Sequence, residues 1–347
     1  SLVKTGEWRL ANDKTNLAPL LTALPLLAAG ASFDTGNKHW KNLETGRDYQ
    51  DVWLCALEFL HNNALPADKL IFYARLPIVL LALLLGLTVY AWSAQLYGKT
   101  AGLLSLLLYT TCPNILAHAG LATDDMAFTV FAFLTIWRYS LYNRTKKAAD
   151  LVLAGAALGL ALNAKHTAML LLPALAGHCL LEYFCHREES GGLKRRCIAL
   201  GAVFITAVFV LLPFYGVFSV NYFFSGLRTT GDLVGGGHSS FMNGQYSVKG
   251  FWNYFIYALV VKTPLPAMIC AVMAAAVRLK ERRFFDLDSD YLMVFPAFLL
   301  LAASFSGFNV GLRHVLPVYP FLFVFCGGAF KFLKGKLSVF LPAALLI

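Results

Sequence analysis

Asp124 and Asp125 stand side by side in Leu121-Ala122-Thr123-Asp124-Asp125-Met126, at the head of an apolar run. Carboxylates at a membrane boundary are costly unless paired, solvated or metal-bound. Neighbouring helix residues point about 100° apart, so the two cannot share a direction. One is expected to face a site and the other to cap the helix N-terminus; capping alone accounts for one of them. Cations recur in comparable places. Arg75 opens one apolar run, Lys165 and His166 close a short one, and Lys262 lies inside another, just before Thr263-Pro264-Leu265-Pro266. Arg313 and His314 follow the turn Gly307-Phe308-Asn309-Val310-Gly311. Lys262 needs a carboxylate, a lipid phosphate or water in reach, whereas snorkelling is enough to explain Arg75. Asp13 and Lys14 precede an amphipathic stretch, where a helix N-terminus favours an anion. Together these residues suit a phosphate or pyrophosphate held by Lys14, Arg75, Lys165, Lys262, Arg313 and His314. Asp13, Asp124 and Asp125 beside it suit a divalent metal or a general base. A sugar on a lipid phosphate combines both demands.

The elements that must position these groups follow from composition. Of 347 residues 58% are hydrophobic and 14% charged, against roughly 25% charged in soluble domains. A disordered chain, a secreted disulfide scaffold and an ordinary cytosolic enzyme are excluded, and a membrane-embedded protein remains. The seven cysteines contain no CxxC and lie mostly in apolar runs, as small buried hydrophobes do. Continuous apolar runs cover 76–96, 100–117, 121–140, 150–163, 166–184, 198–219, 255–277, 291–306 and 315–330, and a further run begins at 337. They do not alternate, so a transmembrane barrel fails. The expected fold is an all-α polytopic membrane protein with nine complete crossings and a partial tenth. Pro264 and Pro266 must bend or break the run at 255–277. The run 150–163 rises only about 21 Å as a helix, less than a bilayer core.

Alternate loops differ in charge. One set (98–99, 138–149, 185–197, 278–290, 331–336) holds 16 Lys and Arg, and the other (118–120, 164–165, 220–254, 307–314) holds 4. Positive residues stay cytoplasmic, so the second set and residues 1–72 are expected outside. The net charge of +10 is then a topology signal, and nucleic acid is not an expected partner. The sequon Asn143-Arg144-Thr145 falls inside, where it would not be glycosylated. The chain divides into an outer segment, 1–72, and a membrane domain, 73–347, with an outer loop at 220–254. Leu17, Leu20, Leu21, Leu24, Leu27 and Ala28 recur at helical spacing, interrupted by Pro19 and Pro25, and predict a helix lying in the interface. The outer loop runs from Arg228 to Tyr246, with Gly235, Gly236 and Gly237 in its middle. Asp232, His238, Asn243, Gln245 and Tyr246 make it a candidate mobile substrate loop.

Four segments resemble a known family. Phe251 to Pro266, ending Lys262-Thr263-Pro264-Leu265-Pro266, is similar to the "YF…KTPLP" segment of bacterial protein O-mannosyltransferases. Arg313-His314-Val315-Leu316-Pro317-Val318-Tyr319-Pro320 resembles their "GxRHxLPxYP" segment, Thr123-Asp124-Asp125-Met126 their "TDM" turn, and Lys165-His166-Thr167 their "TKxT" stretch. Together they resemble GT-C-type glycosyltransferases, which include lipid A aminoarabinose transferases. The resemblance implies an enzyme that moves a sugar from a polyprenyl-phosphate donor to the hydroxyl of a protein, lipid or glycan, with inversion, on the non-cytoplasmic face of a membrane. For a bacterial member that is the inner membrane, with the site facing the periplasm or the cell exterior. Cations, sometimes with a divalent metal, hold the departing phosphate.

Two departures from the family pattern stand out. Its catalytic Asp follows a first membrane helix, and both are expected ahead of Ser1, so the principal base is expected outside this chain. The chain is expected to be a fragment at both ends. The family's "EKPPL" segment reads Asp13-Lys14-Thr15-Asn16-Leu17 here, with the proline pair lost. A secondary transporter, which also uses broken helices and buried charge, and a catalytically inactive sugar-lipid-binding relative are the alternatives. Polar residues gather at one face and no internal repeat is visible, which disfavours the transporter.

Overall fold

The computed structural model describes residues 2–6, 15–43, 49–185, 192–215, 221–281 and 287–333. Short helices come first: α1 Leu2–Thr5, α2 Leu17–Ala28, α3 Lys38–Asn42 and α4 Tyr49–His61. A run of long hairpins follows: α5 Ala67–Tyr97, α6 Lys99–Thr110, α7 Pro113–Ala119, α8 Asp124–Thr145, α9 Ala148–Ala164, α10 Leu171–Cys185 and α11 Gly192–Tyr215. Next come α12 Asn221–Gly236 and the antiparallel strands β1 Ser240–Met242 and β2 Gln245–Ser247. The described chain closes with α13 Tyr254–Lys262, α14 Leu265–Lys280, α15 Leu287–Ser304 and α16 Val318–Gly327. Connections alternate between two ends of the bundle. The starts of α5, α8 and α16 and the finishes of α6, α9, α11 and α15 share one, called the upper end here.

Lipid and protein compete for the surface of these helices, and the sequence divides it. α8 is buried along most of its length between α5, α9 and α15, whereas α5 and α11 show Leu80, Leu83, Leu87, Phe204, Ile205 and Phe209 outward. Trp92, Phe133 and Phe321 pack edge-on at centroid distances of 5.0 to 6.0 Å in the core. α9 and α11 approach closely because Gly155 and Gly159 lack side chains; a Cβ on Gly159 would lie 2.6 Å from the Ala207 carbonyl oxygen. At the lower end the carboxylate of Glu182 on α10 accepts from Tyr291 Oη of α15 and from Asn143 Nδ2 of α8, and Arg196 of α11 lies 3.7 Å from its other oxygen. That clamp ties four helices together. It also engages the amide of the Asn143 sequon.

The structure departs from the expected spans at two places. The run 100–117 is broken into α6 and α7, bent by 66°, where Pro113 starts a new helix. The run 255–277 is broken into α13 and α14 by 108°, with Thr263 and Pro264 extended. The proline pair announces the second break. Among the described residues three helices are long and apolar enough to cross a membrane, or five if each bent pair is one span. Shorter apolar helices at Leu17–Ala28, Ala148–Ala164, Asp290–Ser304 and Val318–Phe330 accompany them. The expected nine crossings are reached only by adding the last three of these short helices and the 22-residue α8, which is not among the helices apolar enough to count, and the partial tenth lies outside the described residues. The predicted helix at Leu17 forms; Leu17 and Ala18 are buried while Leu24 and Leu27 are exposed.

The region 220–254, expected as an outer loop, carries regular structure. α12 and the β-hairpin fill most of it. Asn243 (φ 49°) and Gly244 (φ 82°) form the hairpin turn with both residues in the left-handed region, which Asn-Gly adopts at little cost. That dipeptide is a turn signal the composition-based reading passed over.

Gly159→Val places a branched side chain against backbone, and overpacking of that kind costs about 1–3 kcal/mol. Gly201 on α11 has open space around it. Thermal unfolding in detergent is expected to show a midpoint several degrees lower for Gly159→Val than for Gly201→Val. Equal midpoints would contradict the α9–α11 packing.

Candidate functional site

The site is built where α8 begins and α9 ends. α8 starts after Thr123, which is extended, so both aspartates fall in its first turn. There a carboxylate benefits from the helix dipole. Asp125 is turned into the bundle and Asp124 is only half-buried. At the end of α9 Lys165 is extended, which swings its side chain across to α8. Lys165 Nζ donates to Asp125 Oδ1 at 2.6 Å, with side-chain exposures of 13% and 3%. The two motifs flagged separately in the sequence are thus one ion pair. Thr123 is the N-cap position of α8, and its side chain makes no cap bond.

Around the pair sit groups from three more elements. His118 at the finish of α7 lies close enough to Asp125, Lys165 and Arg313 to feel their charges, and so does His314. Arg313 and His314 belong to a 3-10 turn, Leu312–Val315, with the Arg313 side chain exposed. Burial, reinforced by Lys165 and Arg313, pushes the His314 imidazole down to about 3, so it is neutral at physiological pH. His166 is buried against Phe223, and its Nδ1 lies 3.4 Å from Thr230 Oγ1 of α12, which roofs the site. His118 Nδ1, Thr123 Oγ1, Asn163 Oδ1 and His314 Nε2 are buried without a hydrogen-bond partner among the described residues. Orphaned polar atoms in native proteins are rare and mark sites for water, ions or ligands.

Other expected residues fall into place unevenly. Asp13 and Lys14 lie outside the described residues. The residues after them are held at the site: Thr15 Oγ1 donates to the Ala164 carbonyl at 2.6 Å, and Asn16 Nδ2 to that of Phe214 at 3.3 Å. Lys262 is exposed at the end of α13. Its carbonyl accepts from Asn114 Nδ2 at 2.7 Å, and the same amide reaches Tyr319 Oη at 3.1 Å. The break at Thr263 is therefore anchored one turn from His118 on α7. Arg75 is exposed on α5 and is not among the charges acting on His118 or His314. His238 reaches the site only through rings: it is 5.3 Å from Phe308, which is 5.7 Å from His314. Asp232 is exposed on α12, and Asn243, Gln245 and Tyr246 are exposed on the hairpin.

Two residues escaped the sequence reading. His118 is not among the candidates drawn from the sequence. Asn309 is buried, and its Oδ1 accepts from the Phe251 backbone N–H at 2.5 Å, joining the turn before Arg313 to the start of α13. Glycine on both sides of it was the available signal. Among the described residues no three His, Cys, Asp or Glu side chains gather to hold a metal ion. Asp125, one of the expected ligands, is already held by Lys165.

Residues 64–214 match the family model described as dolichyl-phosphate-mannose-protein mannosyltransferase. Among solved structures, ArnT from Cupriavidus metallidurans bound to undecaprenyl phosphate superposes with a TM-score of 0.59 at 18% identity, over 75% of this chain and 46% of that one. ArnT from the same organism in the apo state gives 0.53 at 20% identity, over 75% and 45%. No curated protein sequence matches. The chain spans less than half the length of the ArnT structures, and at such identity the likeness is one of fold. The likeness shows the helical fold shared with the ArnT structures, and the family-model match covers less than half of the chain.

Removing one member of a buried ion pair typically costs about 3–5 kcal/mol, because the other charge is stranded. Lys165→Met is expected to lower stability by that order, and Lys165→Met with Asp125→Asn to recover most of the loss; additive losses would show that the two do not interact. His314 adds a pH dependence. Its folded value is depressed, so the unfolded chain binds more protons below 6.5. Its contribution is fully present above pH 6.5 and is lost as pH falls towards about 3. Unfolding midpoints of wild type should fall across that window more steeply than those of His314→Gln, and parallel curves would refute the assignment.

Proposed function

We infer that the chain forms the membrane part of a glycosyltransferase that takes a sugar from a polyprenyl-phosphate carrier and gives it to an acceptor hydroxyl, with inversion. The observation that carries the reading is the convergence of Lys165, Arg313, His118 and His314 on Asp125 at the upper end. The mannosyltransferase family match over 64–214 supports it, as does the fold shared with a protein crystallised with undecaprenyl phosphate. The reacting face is the non-cytoplasmic one, by the charge asymmetry of the loops, which in a bacterium is the periplasmic side of the inner membrane. The acceptor is a protein, lipid or glycan.

In this reading the acceptor hydroxyl gives its proton to a carboxylate base as its oxygen attacks the anomeric carbon, the bond to the carrier phosphate breaks, and the phosphate leaves with the electron pair. The charge growing on that phosphate needs fixed cations in a place poor in water. Lys165 and Arg313 supply them. Lys165 is preorganised by Asp125, and neutral His314 and His118 offer ring nitrogens without adding repulsion between like charges. Lys14, Arg75 and Lys262 are proposed as further contacts along the carrier headgroup. Asp125 is not assigned as the base, because its oxygen is committed to an ammonium. Asp124, half-buried at the same helix start, is left to face the acceptor. Asp232, His238, Asn243, Gln245 and Tyr246 line the acceptor's approach over α12 and the hairpin. No step of the proposal passes through a metal.

Transfer of labelled sugar from a polyprenyl-phosphate donor in membranes carrying the full-length protein tests this. Arg313→Ala is the sharper variant, since its side chain is exposed and its loss should spare the fold. Loss of one such electrostatic contact costs roughly 100-fold or more in rate, and that is expected for Arg313→Ala and Lys165→Ala. Lys146→Ala at the opposite end should stay near wild type. Equal effects at both ends would remove the site assignment.

A further inference from the structure

A second feature of the upper end lies apart from the ion pair. A cavity of about 140 Å³ opens between the chain that follows α2 and helix α4. Phe33 and Phe59 form its apolar side, with ring centroids 6.3 Å apart, and Trp40 braces Phe33 edge-on at 5.1 Å. Its polar side is Asp34, Glu58, Asn62 and Asn63. Among the described residues that line it there is no Lys or Arg.

Several of these polar groups are held in place by the protein. Glu58 accepts from Asn37 Nδ2, and Asp34 Oδ1 accepts from the Gly36 N–H at 2.7 Å. Asn63 fastens α4 to the facing strand of chain, its Nδ2 donating to the Ser32 carbonyl at 2.7 Å and its Oδ1 accepting from the Ser32 N–H at 3.1 Å. Each carboxylate therefore keeps one oxygen that takes no hydrogen bond among the described residues, and the Asn62 amide offers both a donor and an acceptor. The result is a small cavity with aromatic faces on one side and fixed acceptors and an amide on the other.

A sugar ring has that division of chemistry: a C–H face that packs on aromatic rings and an edge of hydroxyls that donate to carboxylates and exchange hydrogen bonds with amides. The volume is well below that of pockets for drug-sized ligands, which fits one ring and not an oligosaccharide. The carboxylates are engaged through one oxygen each and do not converge with a third metal-ligating side chain, which favours hydroxyls over a bare divalent ion. We propose that the cavity between Phe33 and Asn62 is a recognition site for a single pyranose ring. Its role as the seat of an acceptor sugar rests on the glycosyltransferase reading; the binding of the ring does not.

Saturation-transfer NMR on the full-length protein in nanodiscs, with methyl α-mannoside and methyl α-glucoside as probes, tests this. Ethylammonium and calcium serve as cationic competitors. Transfer to the pyranoside ring protons is expected for wild type and for Lys165→Ala, and a loss of at least 5-fold for Asn62→Ala and Glu58→Gln. Asn62 is exposed, so its variant should fold even if Glu58→Gln does not. A Lys165→Ala protein that binds pyranoside but transfers no sugar separates the two sites. No transfer to either pyranoside in wild type, unchanged transfer in Asn62→Ala, or displacement by either cation at comparable concentration would each overturn the proposal.

Discussion

A charge taken out of water must be met by another, and in this bundle that demand is concentrated on Asp125 and Lys165. The pair joins the start of one helix to the finish of the next at 2.6 Å. Both side chains are nearly removed from solvent, so neither tolerates a stranded partner. The requirement fixes where α8 may begin and where α9 must stop. It also fixes what may pack there. Thr15 binds the carbonyl just before Lys165, and α12 lies over His166. The 3-10 turn with Arg313 and His314 completes the ring of charge. The remaining groups bring positive charge and ring nitrogens with unmet hydrogen-bonding capacity, a setting for an anion with several oxygens.

Irregular backbone in such a protein is confined to places where other protein groups satisfy it. Both broken helices obey this. Pro113 ends one path and starts another, which sets His118 beside Asp125. Thr263 and Pro264 break the second, and the freed Lys262 carbonyl is met by Asn114 of α7. Thr263 and Tyr319 hydroxyls share a bond of 3.2 Å at the same place. The two breaks are therefore coupled through one amide and one phenol. They give the upper end a polar rim, while the lower end closes with the compact clamp on Glu182.

Much of this was readable from the chain alone, for physical reasons. Apolar runs and loop charge disclosed a helical membrane protein, because bilayer insertion constrains composition directly. Adjacent aspartates and lone lysines in apolar runs marked positions that need a partner, because charge there is costly unless paired, and Asp125 and Lys165 do pair. What stayed hidden is pairing across the chain: nothing in the sequence joins Asp125 to Lys165 forty residues on. The kink at Pro113 was missed because hydropathy ran on through it. The hairpin was missed because glycine content outweighed the specific turn chemistry of Asn243-Gly244. Arg75 is exposed on α5, and it is not among the charges acting on His118 or His314. The likeness to ArnT shows the fold, and the mannosyltransferase model matches residues 64–214.

The central claim is that this ring of charge grips the anionic headgroup of a polyprenyl carrier. Native mass spectrometry of the full-length protein, offered undecaprenyl phosphate and undecaprenol together, addresses it most directly. Retention of the phosphate form in preference, abolished in Lys165→Met, is the predicted result. Equal retention of the two lipids, or a preference that survives Lys165→Met, would contradict it.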